Sequence, residues 1–300
     1  MDNNKTRQKA YEEYKIAEKY FNNKCCTSPS YDMAIISYNK SYNYYKYLKD
    51  IVMVLDISEK IIICNQKINN YIGVAIQYEN IINYLIINKS INYNEIIKYY
   101  EYGYNTYLFI NEINKSIQIL LQCLKYLEKI KYEEINKYNE IIDKIIITQN
   151  RYSEDEKIYK IDILKSLFPF IVKYCDKIKN IEYMKNMIKI FRELKQQHNI
   201  YVIMLSTIVY LISEYDFENT KTILCEFYKE DDFILSEECH NARKLYFLLC
   251  CNENLIDNEE FNELIKNKLF NKIIREIYIK LKNCDIDKIN EMNFMKISIL

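Results

Sequence analysis

Tyr31-Asp32-Met33-Ala34-Ile35-Ile36-Ser37-Tyr38-Asn39-Lys40-Ser41-Tyr42 places Tyr31, Ala34, Ile35, Tyr38 and Tyr42 at steps of three and four. That spacing is the period of one helix face, and it continues to Tyr45 and Leu48. The tetrad Ala34-Ile35-Ile36-Ser37 returns as Ala75-Ile76-Gln77-Tyr78 and again as Ser116-Ile117-Gln118-Ile119, each copy beginning 41 residues after the last. A small residue leads each copy, near the start of a predicted helix. Small residues there let two helices of a hairpin approach closely.

Forty-odd residues is the length of a helical hairpin in a tetratricopeptide-like array, slightly longer than the commonest unit. One hairpin cannot bury its own apolar face, whereas several stacked hairpins share a continuous core and form a curved sheet of helices. The fold class expected is therefore all-α and tetratricopeptide-like. The register of the repeat blurs after about residue 150.

Composition agrees by exclusion. The 300 residues suffice for one or two domains, and 49% are hydrophobic, enough for a sizeable core. Lys plus Arg equals Asp plus Glu at 42 each, so no global charge draws the chain to nucleic acid or an anionic membrane. Gly73 and Gly103 are the only glycines and stand 30 positions apart. A phosphate-cradling glycine loop cannot be written with them, and hairpin-rich β folds need more turn residues than this chain holds. The ten cysteines contain no C-x-x-C. With no signal peptide at Met1-Asp2-Asn3-Asn4-Lys5, they read as reduced cytosolic thiols that fill the core. His198 and His240 lack ligand spacing and read as structural or surface residues. The longest apolar stretch, Ile200 to Ile212, falls short of the roughly 20 residues that span a bilayer. It reads as a helix buried on all sides, and the protein is expected to be soluble. The 31 tyrosines accompany an excess of Asn, Lys and Ile, all with AT-rich codons. Tyr is therefore expected at positions where Phe would serve.

Helices are predicted over 5–24, 31–49, 51–69, 71–88, 93–109, 113–130, 132–149, 154–179, 181–197, 200–213, 217–229, 236–251 and 258–283. Asn92 with Glu95, Ser153 with Glu156, and Asp257 with Glu260 have the capping-box spacing of a helix start. Ser236 precedes Glu237 and Glu238, whose charges suit a helix N-terminus. Pro29 marks a break, Pro169 a kink or an end. The tail after Asn283 is weakly periodic and expected to be disordered.

The order of local patterns adds a resemblance. Ala17-Glu18-Lys19-Tyr20 precedes a short loop, and Tyr31-Asp32-x-Ala34-x-x-x-Tyr38-x-Lys40-Ser41 follows, then Lys46-x-x-Lys49. Asp216-Phe217, Ser236-Glu237-Glu238-Cys239, Leu269-Phe270 and Tyr278-Ile279-Lys280-Leu281 come later in that order. The succession resembles the soluble NSF attachment proteins (SNAPs), the gamma form most closely, from about residue 10 to 283. The resemblance implies a twisted sheet of antiparallel helices over 1–215, a C-terminal helical bundle over 216–283 and a tail at 284–300. It implies an adaptor, monomeric when free, that binds SNARE complexes and recruits the hexameric ATPase NSF for SNARE disassembly in vesicle transport. The expected location is the cytosolic face of endomembranes. No enzymatic activity, cofactor, metal or nucleic acid partner is expected. The alternative is a tetratricopeptide-like scaffold for some other partner.

The resemblance also assigns candidate contacts. Lys115, Lys157, Lys160, Lys165, Arg192 and Lys195 stand near helix ends where the family presents a basic face to the SNARE bundle. Ordinary solvated charge is the other reading of each. Gln118 occupies a site near one expected lysine. NSF contact would fall to Glu253, Asp257, Glu259 and Leu300, with Cys250 and Cys251 standing where the family has acids. Glu260 reads as a helix cap. The family's first inter-helix loop is apolar and touches membrane. Here it is Asn22 to Ser30, without an aromatic residue, and Cys25 and Cys26 offer acylation as another route to the bilayer.

Overall fold

The computed structural model describes residues 3–22, 29–89, 92–152, 157–214, 216–229 and 231–251. These residues form thirteen helices and, among the described residues, no strand. The protein is all-α and tetratricopeptide-like, with consecutive helices packed against each other. The chain divides into two compact units between Tyr152 and Ser153.

The first unit holds α1 (Asn3–Phe21), α2 (Tyr31–Tyr47), α3 (Ile51–Lys67), α4 (Tyr71–Ile87), α5 (Tyr93–Phe109), α6 (Ile113–Lys129) and α7 (Ile135–Gln149). Helices α2 to α6 are each 17 residues long. Ala34, Ala75 and Ser116, the small residues that lead the repeat, are fully buried on α2, α4 and α6. Between α1 and α2 the small residues Ala10, Ala17 and Ala34 are likewise sealed. Ser41 Oγ donates to the Ala10 carbonyl at 2.7 Å, a contact only closely approaching helices permit. Gly103 serves the same end between α5 and α6: a Cβ there would meet Ile119 Cδ1 at 2.4 Å.

The turns explain how a chain with two glycines reverses so often. Lys49, Asn69, Lys89, Asn111, Lys131 and Lys195 all adopt φ between 52° and 61°, the left-handed region. After α2, the Lys49 N–H donates to the Lys46 carbonyl at 3.2 Å and the Asp50 N–H to the Tyr45 carbonyl at 3.1 Å. That pair of bonds is a Schellman motif, which satisfies carbonyls the helix end leaves open. Asp50 then caps α3 by accepting from the Met53 N–H at 3.3 Å. One three-residue link thus ends one helix and starts the next. Asn69-Asn70 repeats the device, with Asn70 accepting from the Gly73 N–H at 3.1 Å. An L-residue in this conformation costs roughly 1–2 kcal/mol that glycine does not. Lys49→Gly and Lys131→Gly are each expected to raise stability by about 1 kcal/mol. Urea unfolding checks this; a loss of stability in both variants would contradict it.

The second unit holds α8 (Lys157–Tyr174), α9 (Lys177–Glu193), α10 (Gln197–Ser213), α11 (Phe217–Phe227), the short α12 (Asp231–Ile234) and α13 (Glu237–Cys251). Helix α10 is its centre and packs against α9, α11 and α13. Every residue from Ile203 to Ile212 is buried, so the expectation for the Ile200–Ile212 stretch holds. No described helix is long and apolar enough to cross a membrane. Helices α11 and α13 both lie on α10.

Most helix bounds agree with the sequence reading within a turn. The helices expected over 154–179 and 181–197 are the exceptions, since α8 ends at Tyr174 and Asp176 starts α9, which runs four residues earlier than expected at both ends. The Asp176 carboxylate accepts from the Lys179 N–H at 2.9 Å. The apolar period runs across this break, which is why spacing alone missed it. Pro169 lies within α8 and does not end it. Helix α12 was not anticipated. The caps expected at Asn92 and Ser236 form, accepting from the Glu95 N–H at 3.2 Å and the Cys239 N–H at 3.0 Å. Those expected at Ser153 and Asp257, the helix over 258–283 and the tail lie outside the described residues.

Candidate binding surfaces

The basic residues singled out by resemblance are distributed over both units. Lys115 is on the first turn of α6, half-exposed, with Nζ 3.9 Å from Glu112 Oε2 and 5.7 Å from the Tyr107 ring centroid. The other five belong to the second unit. Lys157 is the first residue of α8, Lys160 is half-buried and Lys165 is exposed, its Nζ 5.7 Å from the Phe191 ring centroid. Lys160 and Lys165 are five residues apart, about 140° around the helix, so α8 spreads its lysines over an arc. Arg192 and Lys195 are both exposed and stand together where α9 ends. Cations suit that position, because the helix C-terminus carries partial negative charge. Gln118 is exposed on α6. Glu253, Asp257, Glu259, Leu300, Cys25 and Cys26 lie outside the described residues.

The described cysteines divide by burial. Cys64, Cys123 and Cys239 are buried, Cys175 is half-buried and Cys225 exposed. Burial pushes the Cys64 thiol up to about 11 and the Cys123 thiol up to about 12. Both therefore stay protonated and act as core side chains. His198 Nδ1 lies 3.2 Å from Glu238 Oε1, joining α10 to α13, and His240 is exposed. Among the described residues no cluster of three or more His, Cys, Asp and Glu could hold a metal ion.

Two features of the first unit were not singled out from sequence. One is a charge network between α5 and α7. Glu101 Oε1 accepts from Lys137 Nζ at 2.8 Å and Lys144 Nζ at 3.1 Å, and Glu140 accepts from the same two at 2.9 and 2.6 Å. Burial opposes ionisation of Glu101, but the two lysines outweigh it and hold its carboxyl below the usual range. Hydrogen bonds from Lys144 and Lys137 lower Glu140 against a smaller burial effect. Burial would lower both lysines, yet the carboxylates raise them. The sign follows: the carboxylate contribution is complete above the ordinary Glu range and disappears as pH falls through the lowered values. The lysine contribution is complete below the ordinary Lys value and disappears as pH rises through the raised ones. Glu101→Gln is expected to cost about 1 kcal/mol at pH 7, since the groups are partly exposed. Its gap from the wild type is expected to narrow as pH falls from 7 to 3, measured as urea midpoints at both pH values. A gap that stays constant would contradict the network's role.

The other feature is a groove of about 590 Å³ among α3, α4 and α5. Helix α3 contributes Glu59, Ile62 and Ile63, α4 contributes Tyr78, and the cap Asn92 with α5 as far as Tyr102 supplies the rest of the wall. Three tyrosine rings cluster there. Tyr78 lies 6.3 Å from Tyr99 and 5.5 Å from Tyr102 between centroids, and Tyr99 meets Tyr102 edge-on at 6.3 Å. The only sequence signal for them was Tyr at i and i+3 on α5, which the general excess of tyrosine hides.

These surfaces belong to an all-α, tetratricopeptide-like helical repeat, a class that presents side chains from successive helices to a partner. No protein-family model matches the chain, and no curated protein matches it.

Proposed function

We propose that the protein is an adaptor that binds SNARE complexes and recruits the ATPase NSF, performing no chemistry itself. The observation that carries the reading is the colinear order of segments resembling the SNAPs. The stack of near-equal antiparallel helices supports it, because such a stack gives a long surface of the kind a helical bundle can lie along. In this reading Lys115, Lys157, Lys160, Lys165, Arg192 and Lys195 meet acidic residues of the SNARE bundle. Charge pairing there orients the encounter more than it sets affinity. Glu253, Asp257, Glu259 and Leu300 serve NSF. The protein works as a monomer, in several copies around one complex, at the cytosolic face of endomembranes. Acylation of Cys25 or Cys26 would hold it there.

The test is ATP-driven SNARE disassembly by matched NSF, with and without this protein. Disassembly is expected only when the protein is present. Binding to the SNARE complex is expected to weaken as salt rises, because exposed charges are screened over about 8 Å at physiological ionic strength. Lys157→Glu, Lys160→Glu and Lys165→Glu together are expected to weaken it further. Intact binding in the triple variant would move the contact elsewhere. No binding at low salt would overturn the reading in favour of a scaffold for another helical partner.

A further inference from the structure

The tyrosine groove of the first unit has a charge pattern opposite to that of a basic docking face. Glu59 and Glu95 both line it, and neither carboxylate has an ion-pair partner among the described residues. Among the described residues Lys98 is the one cationic side chain in its wall, so the described wall carries a net charge of minus one. The rings share that field. Burial first, then Glu95 and Glu59, pushes the Tyr99 phenol up to about 12, and burial, Tyr102 and Glu59 raise Tyr78. A ring face attracts cations through its quadrupole, and Tyr102 is half-exposed. Ile62 and Ile63 add apolar surface beside the acids.

From this geometry we infer that the groove is a docking site for an arginine-bearing segment of a partner protein, with the guanidinium laid against the tyrosine rings and bonded to Glu59 or Glu95. Arginine fits better than lysine. Its planar guanidinium stacks on aromatic faces, is weakly hydrated and meets a carboxylate through two parallel hydrogen bonds. The volume falls within the ordinary range for ligand sites, roughly 300–1,000 Å³, enough for one large side chain and its flanking backbone. Lys98 weakens the fit and sets a selectivity: removing its charge improves binding. The inference does not rest on the SNARE reading, since neither the residues nor the partner chemistry is shared with it.

Fluorescein-labelled, capped Gly-Ser-Arg-Ser-Gly and its Lys, Gln and Glu counterparts test this by anisotropy against the full chain. The Arg peptide is expected to bind at least tenfold tighter than the Gln peptide, the Lys peptide less tightly than Arg, and the Glu peptide not measurably. Glu59→Gln combined with Glu95→Gln is expected to lower Arg-peptide affinity tenfold or more. Tyr102→Ala is expected to lower it several-fold, and Lys98→Ala to raise it. Circular dichroism and thermal unfolding of each variant separate loss of binding from loss of fold. Equal binding of all four peptides, or none at 1 mM (roughly −4 kcal/mol), would overturn the inference. So would an Arg-peptide affinity unchanged by Glu59→Gln with Glu95→Gln. Tetramethylammonium that displaces the peptide at equal affinity would make the occupant a small cation and overturn the peptide assignment.

Discussion

Leu205→Asp is expected to cost about 5 kcal/mol or more and to leave the second unit without a stable fold. Leu205 is fully buried at the centre of α10, with Met204 before it and Ser206 behind it also sealed from water. Helix α10 meets α9, α11 and α13, so no side of it faces solvent at that level. A carboxylate placed there loses its hydration and must either take up a proton or break the packing. Val202, three residues earlier, is only half-buried. Val202→Asp on the same helix is therefore the control, with an expected cost of about 1 kcal/mol, near the average for point substitutions. Circular dichroism at 222 nm and urea midpoints measure both. Equal costs for the two variants would show that α10 is not the hub of its unit.

The second large effect lies in the first unit. Tyr38→Ala is expected to cost 3–5 kcal/mol, within about the range of aromatic-to-alanine substitutions in cores. Tyr38 is fully buried, and its ring packs edge-on against Tyr14 at 5.9 Å and Phe21 at 6.3 Å. Its hydroxyl donates to Glu18 Oε1 at 2.5 Å, which ties α2 to α1. Burial, then that carboxylate, raises the phenol well above its usual value, so the group stays a donor throughout the working range. Tyr38→Phe is expected to cost about 1.5–3 kcal/mol, the range for a hydrogen bond to a charged group. Tyr42 and Tyr84 provide the contrast. Both hydroxyls are buried with no hydrogen-bond partner among the described residues, so Tyr42→Phe and Tyr84→Phe are expected to be neutral or to stabilise by up to about 1 kcal/mol. Equal losses at all three positions would refute the distinction.

That contrast also shows what the sequence could disclose. The three-four spacing from Tyr31 to Leu48 identifies α2, and the 41-residue return of Ala34, Ala75 and Ser116 locates three buried small residues by residue type alone. Those signals are strong because helical period and close packing leave direct marks on residue type. The reading of Tyr as a substitute for Phe suits Tyr42 and Tyr84, and it fails at Tyr38, whose hydroxyl has a partner. The break at Asp176 was illegible because an aspartate cap without Glu at the third position resembles any surface aspartate. The Glu101–Glu140 network and the tyrosine groove were illegible for another reason. Each joins residues from different helices, and the angle at which those helices meet leaves no trace in spacing along the chain.

The sequential packing of the first unit bears on how the chain acquires its structure. Each helix from α2 to α6 rests mainly on the one before it and the one after it. The three-residue links between α2 and α3, α3 and α4, and α5 and α6 hold those partners close along the backbone. Closing such short loops takes on the order of 10–100 ns, and proteins dominated by local contacts fold in microseconds to milliseconds. A helix leaving the ribosome at about 5–20 residues per second meets its first partner as soon as one further helix has followed. The first unit can thus close pair by pair while the rest of the chain is still being made, exposing one unpaired apolar face at a time.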